Sequence, residues 1–151
     1  MAILQTLTNS FKVDLFSGGM NFNSANRALT LNTQDVFKVA LYTSTANLGA
    51  ETTAYTATGE VPTGLGYTAG GQTLVISQVP TTGSSTTVYV NFNDAVWTSA
   101  TFSAAGALIY NSSNANRSVA VLSFGATRTG TGTFRVQFPP VGPLTSIVRV
   151  T

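Results

Sequence analysis

The 151-residue sequence predicts an all-β fold: an antiparallel β-sandwich of jelly-roll type with one short N-terminal helix. Three observations carry this. Seven or eight apolar runs of about five residues alternate with polar neighbours at the period of two that puts successive side chains on opposite faces of a strand. Turn residues, including 14 Gly and 5 Pro, punctuate these runs at the spacing of an all-β domain. Strands of this number bury one face each by packing as two sheets, and a chain of this length buries roughly 68% of its unfolded surface, enough for one domain over 1–151. An immunoglobulin-like strand order is the alternative, although the chain has no Cys to supply the usual Cys-Trp-Cys pattern.

The elements follow in order. Residues 1–8 read as an extended N-terminal arm. Asn9 or Ser10 can cap a helix in which Phe11, Leu15 and Phe16 recur at helical spacing until Gly18-Gly19 ends it. Residues 21–34 are Asn-rich and aperiodic, an irregular loop. Beyond Val36, Phe37, Val39 and Leu41 alternate with Lys38, Ala40 and Tyr42, giving a strand with a core face and a wetter face. Thr43 to Gly71 is too long for an ordinary connection and should hold local structure, with a helical turn near Thr52 to Tyr55. Thr73 to Ser77 is the next strand, and Pro80 to Gly83 turns toward the alternating Val88, Val90 and Phe92. Trp97 and Phe102 bracket a strand with a bulge, Trp97 lying in the core. Ala105 to Tyr110 and Ser118 to Phe124 flank a turn-rich link as a hairpin. Phe134, Val136 and Phe138 alternate until Pro139-Pro140, which cannot donate to a ladder, and Ile147 to Val150 ends the fold.

Composition bounds the function. Only 12 residues are charged, 7 Lys+Arg and 5 Asp+Glu, where an average chain of this length carries about 38. There is no His and no Cys, which excludes Ser-His-Asp and Cys-His catalysis, thiol nucleophiles, disulfides and His or Cys metal sites. Basic residues stand at least seven positions apart, without the clustering that a nucleic-acid face needs, so no nucleic-acid partner is expected. No apolar run approaches the roughly 20 residues of a membrane helix, and the opening residues lack the pattern of a signal peptide, so folding in a cytosol is expected.

Charge is distributed unevenly. Through Asp94, Lys12, Arg27 and Lys38 stand against Asp14, Asp35, Glu51, Glu60 and Asp94, a net of −2; after it only Arg117, Arg128, Arg135 and Arg149 occur, giving +4. These arginines read either as solvated strand positions or as a basic face for an acidic partner.

Several motifs fail on their chemistry. Gly64-Leu65-Gly66-Tyr67-Thr68-Ala69 has the letters of a dinucleotide fingerprint, but Pro62-Thr63 before it and Gly70-Gly71 after it leave no strand-to-helix turn. The Gly125 to Thr131 run has P-loop glycine spacing with Thr131 in place of the lysine, and reads as a Gly/Thr loop between strands. Glu51 and Glu60 share one loop, yet nothing places them across a glycosidic bond. Trp97 and the tyrosines 42, 55, 67, 89 and 110 could stack on sugars but read first as packing residues. No catalytic, cofactor or metal residue is expected, and the chain is not read as an enzyme.

The strings Phe37-Lys38-Val39-Ala40-Leu41-Tyr42-Thr43-Ser44, Thr53-Ala54-Tyr55-Thr56-Ala57-Thr58-Gly59-Glu60-Val61 and Gly66-Tyr67-Thr68-Ala69-Gly70-Gly71 resemble a family of small tailed-bacteriophage virion structural proteins. Trp97 to Phe102, Gly106 to Ser112, Arg117 to Gly125 and the opening Thr8 to Lys12 continue the resemblance over nearly the whole chain; the stretch between Gly18 and Val36 is longer than the family pattern. Members resemble capsid cement, or head-decoration, proteins. The resemblance implies a non-enzymatic protein that binds the major capsid protein on the virion exterior, after assembly in the host bacterial cytoplasm, as a symmetric dimer or trimer. Candidate contact residues are Met1, Ile3 and Leu4 in the arm, Gly64, Gly66 and Tyr67 in the glycine-rich segment, and Arg117, Arg128, Arg135 and Arg149. A tail or neck component is a second reading, and a host-binding or sugar-binding adhesin module a third.

Overall fold

The computed structural model describes residues 2–23, 33–83 and 86–151. In chain order it contains β1 (Thr6–Leu7), α1 (Asn9–Ser17), β2 (Phe37–Tyr42), β3 (Gln72–Thr73), β4 (Ile76–Thr82), β5 (Val88–Phe92), β6 (Ala95–Ala100), β7 (Ser103–Asn111), β8 (Arg117–Thr129), β9 (Gly132–Val136) and β10 (Val148–Val150). Every pairing between these strands is antiparallel. A five-stranded sheet has the order β1-β8-β7-β2-β3, a three-stranded sheet β10-β5-β4, and a two-stranded sheet β6-β9. The fold is therefore all-β with one short helix; the jelly-roll order of two Greek keys is not among these pairings.

The five-stranded sheet is covered on both faces. On the inner face, Phe37, Val39 and Leu41 of β2, Ile109 of β7 and Leu122 of β8 meet Phe92, Trp97, Phe134 and Val148 from the smaller sheets in one core. Phe22 stacks on Phe37 with ring centroids 4.3 Å apart, so part of the expected irregular loop 21–34 is core; its residues 24–32 lie outside the described residues. On the outer face a second cluster holds Ala40, Tyr42, Leu108, Tyr110 and Val121 with Ala46 and Leu48, and Ile3 and Tyr55 pack against it. The face of β2 expected to be wetter is thus corrected: Ala40 and Tyr42 are fully buried, because the 43–71 segment folds back over them.

That segment contains no helical turn at 52–55. Ala54 instead bridges Arg117, and Tyr55 N donates to Asn116 O at 2.9 Å, tying the segment to the start of β8. Three further boundaries differ from expectation. The single strand expected at Thr73 to Ser77 is divided, Thr73 ending β3 in the five-stranded sheet and Ile76 opening β4 in the three-stranded one. β4 runs through Pro80 to Thr82, which an edge strand permits because the missing N–H faces no neighbour. Residues 125–129 belong to β8 rather than to a loop.

The helix is capped by Thr8, one residue before the expected cap: its Oγ1 accepts from Phe11 N, and Gly18 ends the helix in the left-handed region at φ 72°. Residues 2–8 are extended but not free. Leu4 N donates to Leu48 O at 2.9 Å, Leu48 N to Ala2 O at 3.0 Å, Thr6 and Leu7 pair with Val121 and Ala120, and Thr8 is fully buried. Each backbone group joined inside its own chain is lost to a neighbour's sheet, so an arm reaching another copy is not what these residues form.

Candidate functional site

Three surface features bring candidate residues together. The first is a polar latch at the outer edge of β2. β3 covers that edge only at Lys38 and Val39; beyond it Val61 N donates to Leu41 O, and the Tyr67 hydroxyl accepts from Leu41 N at 2.9 Å. Glu60 sits beside this edge, bridged to Tyr42, and its carboxylate accepts from Tyr55 Oη at 2.6 Å, Tyr67 Oη at 2.7 Å and Gly70 N at 2.7 Å. Tyr110 Oη donates to Gly70 O and Tyr42 Oη to Thr56 O. Burial first, and then the Glu60 charge, push the Tyr42, Tyr55, Tyr67 and Tyr110 hydroxyls above the ordinary tyrosine range; in Tyr67 and Tyr42 a backbone hydrogen bond opposes this. The close passage of this segment over β2 requires a glycine just after the motif. Gly71, at φ 69°, passes so close to Val39 O that a Cβ there would overlap it.

The second feature is the tip of the same segment. Gly64 and Tyr67 bridge each other, leaving Leu65 at φ 54° and Gly66 at φ 90° as a two-residue turn. Gly64 and Gly66, candidate contact residues, are exposed, and Leu65 projects into solvent with 66% of its surface exposed. Tyr67, expected as a contact residue, is 3% exposed and packs against Trp97 and Phe102. It rivets the inner core to the latch and has no ring face free for a partner.

The third is a cleft of about 710 Å³ between the far end of β8 and β9, whose floor includes Phe124 and Phe134, ring centroids 6.1 Å apart. Arg128 and Arg135 both line it, and both are exposed. The four arginines therefore do not form one face. Arg117 is spent on Asp14, donating Nε to Oδ2 at 2.6 Å and Nη2 to Oδ1 at 2.9 Å; those hydrogen bonds raise its pKa further and fasten α1 to β8. Arg149 donates to its own chain at Leu144 O. Of the arm candidates, Leu4 is exposed, Ile3 lies half-buried over Gly106, and Met1 is outside the described residues.

Each carboxylate is hydrogen-bonded within the chain, although only Asp14 is buried and Glu51 and Asp94 are exposed. Asp14 holds Arg117, Asp35 accepts from Asn21 N and Asn111 Nδ2, Glu51 from Asn9 Nδ2, Glu60 from the latch, and Asp94 from Phe138 N. Glu51 and Glu60 thus serve separate partners. Tyr42, Tyr67, Tyr110 and Trp97 are buried and Tyr55 stacks on Tyr110, so their rings do not make a sugar-stacking surface. Among the described residues no group of three or more His, Cys, Asp or Glu comes together, and no helix is long and apolar enough to cross a membrane. Comparison with protein-family models, with curated proteins and with solved structures finds no match to this chain.

Proposed function

We propose that this chain is a non-enzymatic bacteriophage virion structural protein, a cement protein that binds the assembled major capsid protein on the virion exterior as a homo-oligomer. One observation carries the reading. Among the described residues all five carboxylates accept hydrogen bonds within the chain, and the exposed charges are few, Lys12, Arg128, Arg135 and Arg149 against Glu51 and Asp94, on a surface otherwise rich in hydroxyls, amides and isolated apolar side chains. A surface with so few charges, of both signs, repels its own copies little, and its small excess of cation favours an acidic partner. It meets an acidic shell at many modest contacts, which repetition over a lattice multiplies. Thr, Ser and Asn supply those contacts at lower side-chain entropy cost than Lys or Glu. The contact surface assigned by this reading is the Leu65 tip and the Arg128–Arg135 cleft; Arg117 and residues 2–8 serve the fold instead.

Titrating the purified protein onto capsids assembled from the major capsid protein alone tests the assignment. Saturation at a shell-lattice copy number, with density on the capsid exterior by cryo-electron microscopy, is the expected result. No binding to capsids, or location at a tail or neck in a few to a few dozen copies, would overturn it.

A further inference from the structure

The two-stranded sheet leaves β9 hydrogen-bonded on one side only, to β6. Its other side faces the cleft, and the consecutive residues 133–137 all line that cleft. Across it, β8 has also lost neighbours. β1 covers β8 only at Ala120 and Val121, and the β7 register jumps from Gly106↔Ser123 to Ala104↔Arg128, so four residues of β8 bulge opposite Ala105. Two sheet margins thus border one gap, with aromatic side chains at its floor and arginines at its rim. An uncovered strand margin is a template for another strand, and proteins normally blunt or cover it. Here arginines flank it, and cations at a margin oppose pairing with a second copy while favouring a strand that carries carboxylates. Among the described residues no carboxylate lies within 4.0 Å of Arg128, and Arg135 reaches only Asp94, at 3.9 Å, whose other oxygen is taken by Phe138 N.

We infer that this cleft receives an extended, acidic segment of the shell protein, about five residues long, which adds as a strand to the free margin of β9. The inference rests on the docking reading above for its partner, and names the chemistry by which that partner is held. Side chains of an added strand alternate between faces, so apolar residues at every second position reach Phe134 and Val136, and carboxylates between them lie beside Arg135 and, across the gap, Arg128. Main-chain hydrogen bonds supply affinity and the alternation supplies specificity, the strand-addition mode of peptide recognition. The length matches the five residues of β9 and stops where Pro139 and Pro140 remove the donors.

The test uses the intact protein and a fluorescent, end-blocked peptide of alternating Val and Asp. Saturable binding is expected, weakened at least tenfold by Arg128→Gln with Arg135→Gln, by lysine in place of the peptide's aspartates, and by N-methylation of alternate peptide amides. Both arginines are exposed, and an unchanged near-ultraviolet circular dichroism spectrum verifies the fold. No saturable binding, equal binding by the double variant, or equal binding by the N-methylated peptide overturns the inference, the last by showing attraction of charge without strand pairing. Capsid titration with the same double variant separates the two proposals. Capsids that bind neither protein, with the peptide still bound, overturn the docking reading and with it the shell protein as occupant, and leave only the cleft's capacity to add an acidic strand; capsids that bind both proteins equally overturn the cleft's role and leave the docking reading standing.

Discussion

The two faces of the five-stranded sheet are built by different physics. The inner face is a phenylalanine and tryptophan layer, Phe22, Phe37, Phe92, Trp97 and Phe134, whose contacts are nondirectional and come from strands distant in sequence. The outer face is small and half polar. Alanine and leucine form its floor, while four tyrosine hydroxyls each donate a hydrogen bond, two to Glu60 and two to backbone carbonyls. The difference separates what makes the chain collapse from what fixes the course of a long loop. Apolar area drives the first, and directional bonds that water would otherwise make specify the second.

Breaking the inner face should cost most. Phe37→Ala removes a fully buried ring that stacks on Phe22, and large-to-small changes of this kind cost about 3–5 kcal/mol, a large share of the roughly 5–15 kcal/mol by which domains are stable. Tyr42→Phe removes only one hydroxyl from the outer face and should cost about 1 kcal/mol. Urea unfolding of both variants measures the contrast. Equal losses would mean that the two faces are not distinct stores of stability.

The outer face alone should respond to pH. Its tyrosines have hydroxyls raised above the ordinary value of 10.0, chiefly by burial and then by Glu60, so the folded chain keeps protons that the unfolded chain releases. Their contribution is complete below pH 10 and is lost as pH rises above it. With no His or Cys to titrate, the thermal midpoint should be nearly flat from pH 7 to 9 and fall steeply beyond 10. Glu60→Gln removes the charge acting on Tyr55 and Tyr67; it should cost about 2 kcal/mol at neutral pH and make the alkaline fall shallower. An alkaline fall unchanged by Glu60→Gln, followed by midpoint against pH and tyrosinate absorbance, would contradict the latch.

The same division decides what could be read from residue order. Phe37, Val39 and Leu41, the hairpin around Asn111 to Arg117, the bulged strand at Trp97 and the helix closed by Gly18 each declare themselves through a local period or a turn residue. The burial of Ala40 and Tyr42 does not, because what covers them is an aperiodic loop whose path is set by Glu60, a partner about twenty residues away. The latch left a trace in Tyr55, Glu60, Tyr67 and Gly70 lying in one glycine-punctuated segment, but nothing in their spacing says that the hydroxyls converge. The arginines behaved likewise. Their distribution along the chain left solvated strand positions and a basic face both readable, whereas pairing with Asp14 withdrew Arg117 and the divergence of β8 from its neighbours put Arg128 and Arg135 on one cleft. Both outcomes are tertiary.

The smallest effect tests where the outer segment turns back on itself. The turn at Leu65-Gly66 holds two residues at positive φ between hydrogen bonds from Gly64 N to Tyr67 O at 2.9 Å and from Tyr67 N to Gly64 O at 3.0 Å, and Thr101 N fixes the tip by donating to Leu65 O. Asn-Gly is the favoured pair for such a turn, whereas leucine in the left-handed region costs about 1 kcal/mol and here buries little in return. Leu65→Asn should therefore stabilise the isolated protein by about 1 kcal/mol, seen as a rise of a few degrees in thermal midpoint. A strained, exposed leucine is unfavourable for the monomer alone, so under the docking reading the same variant should occupy capsids less fully while being more stable. A variant that gains no stability removes the argument from strain; one that gains it and still fills capsids completely removes Leu65 from the contact surface and leaves the arginine cleft to hold the shell.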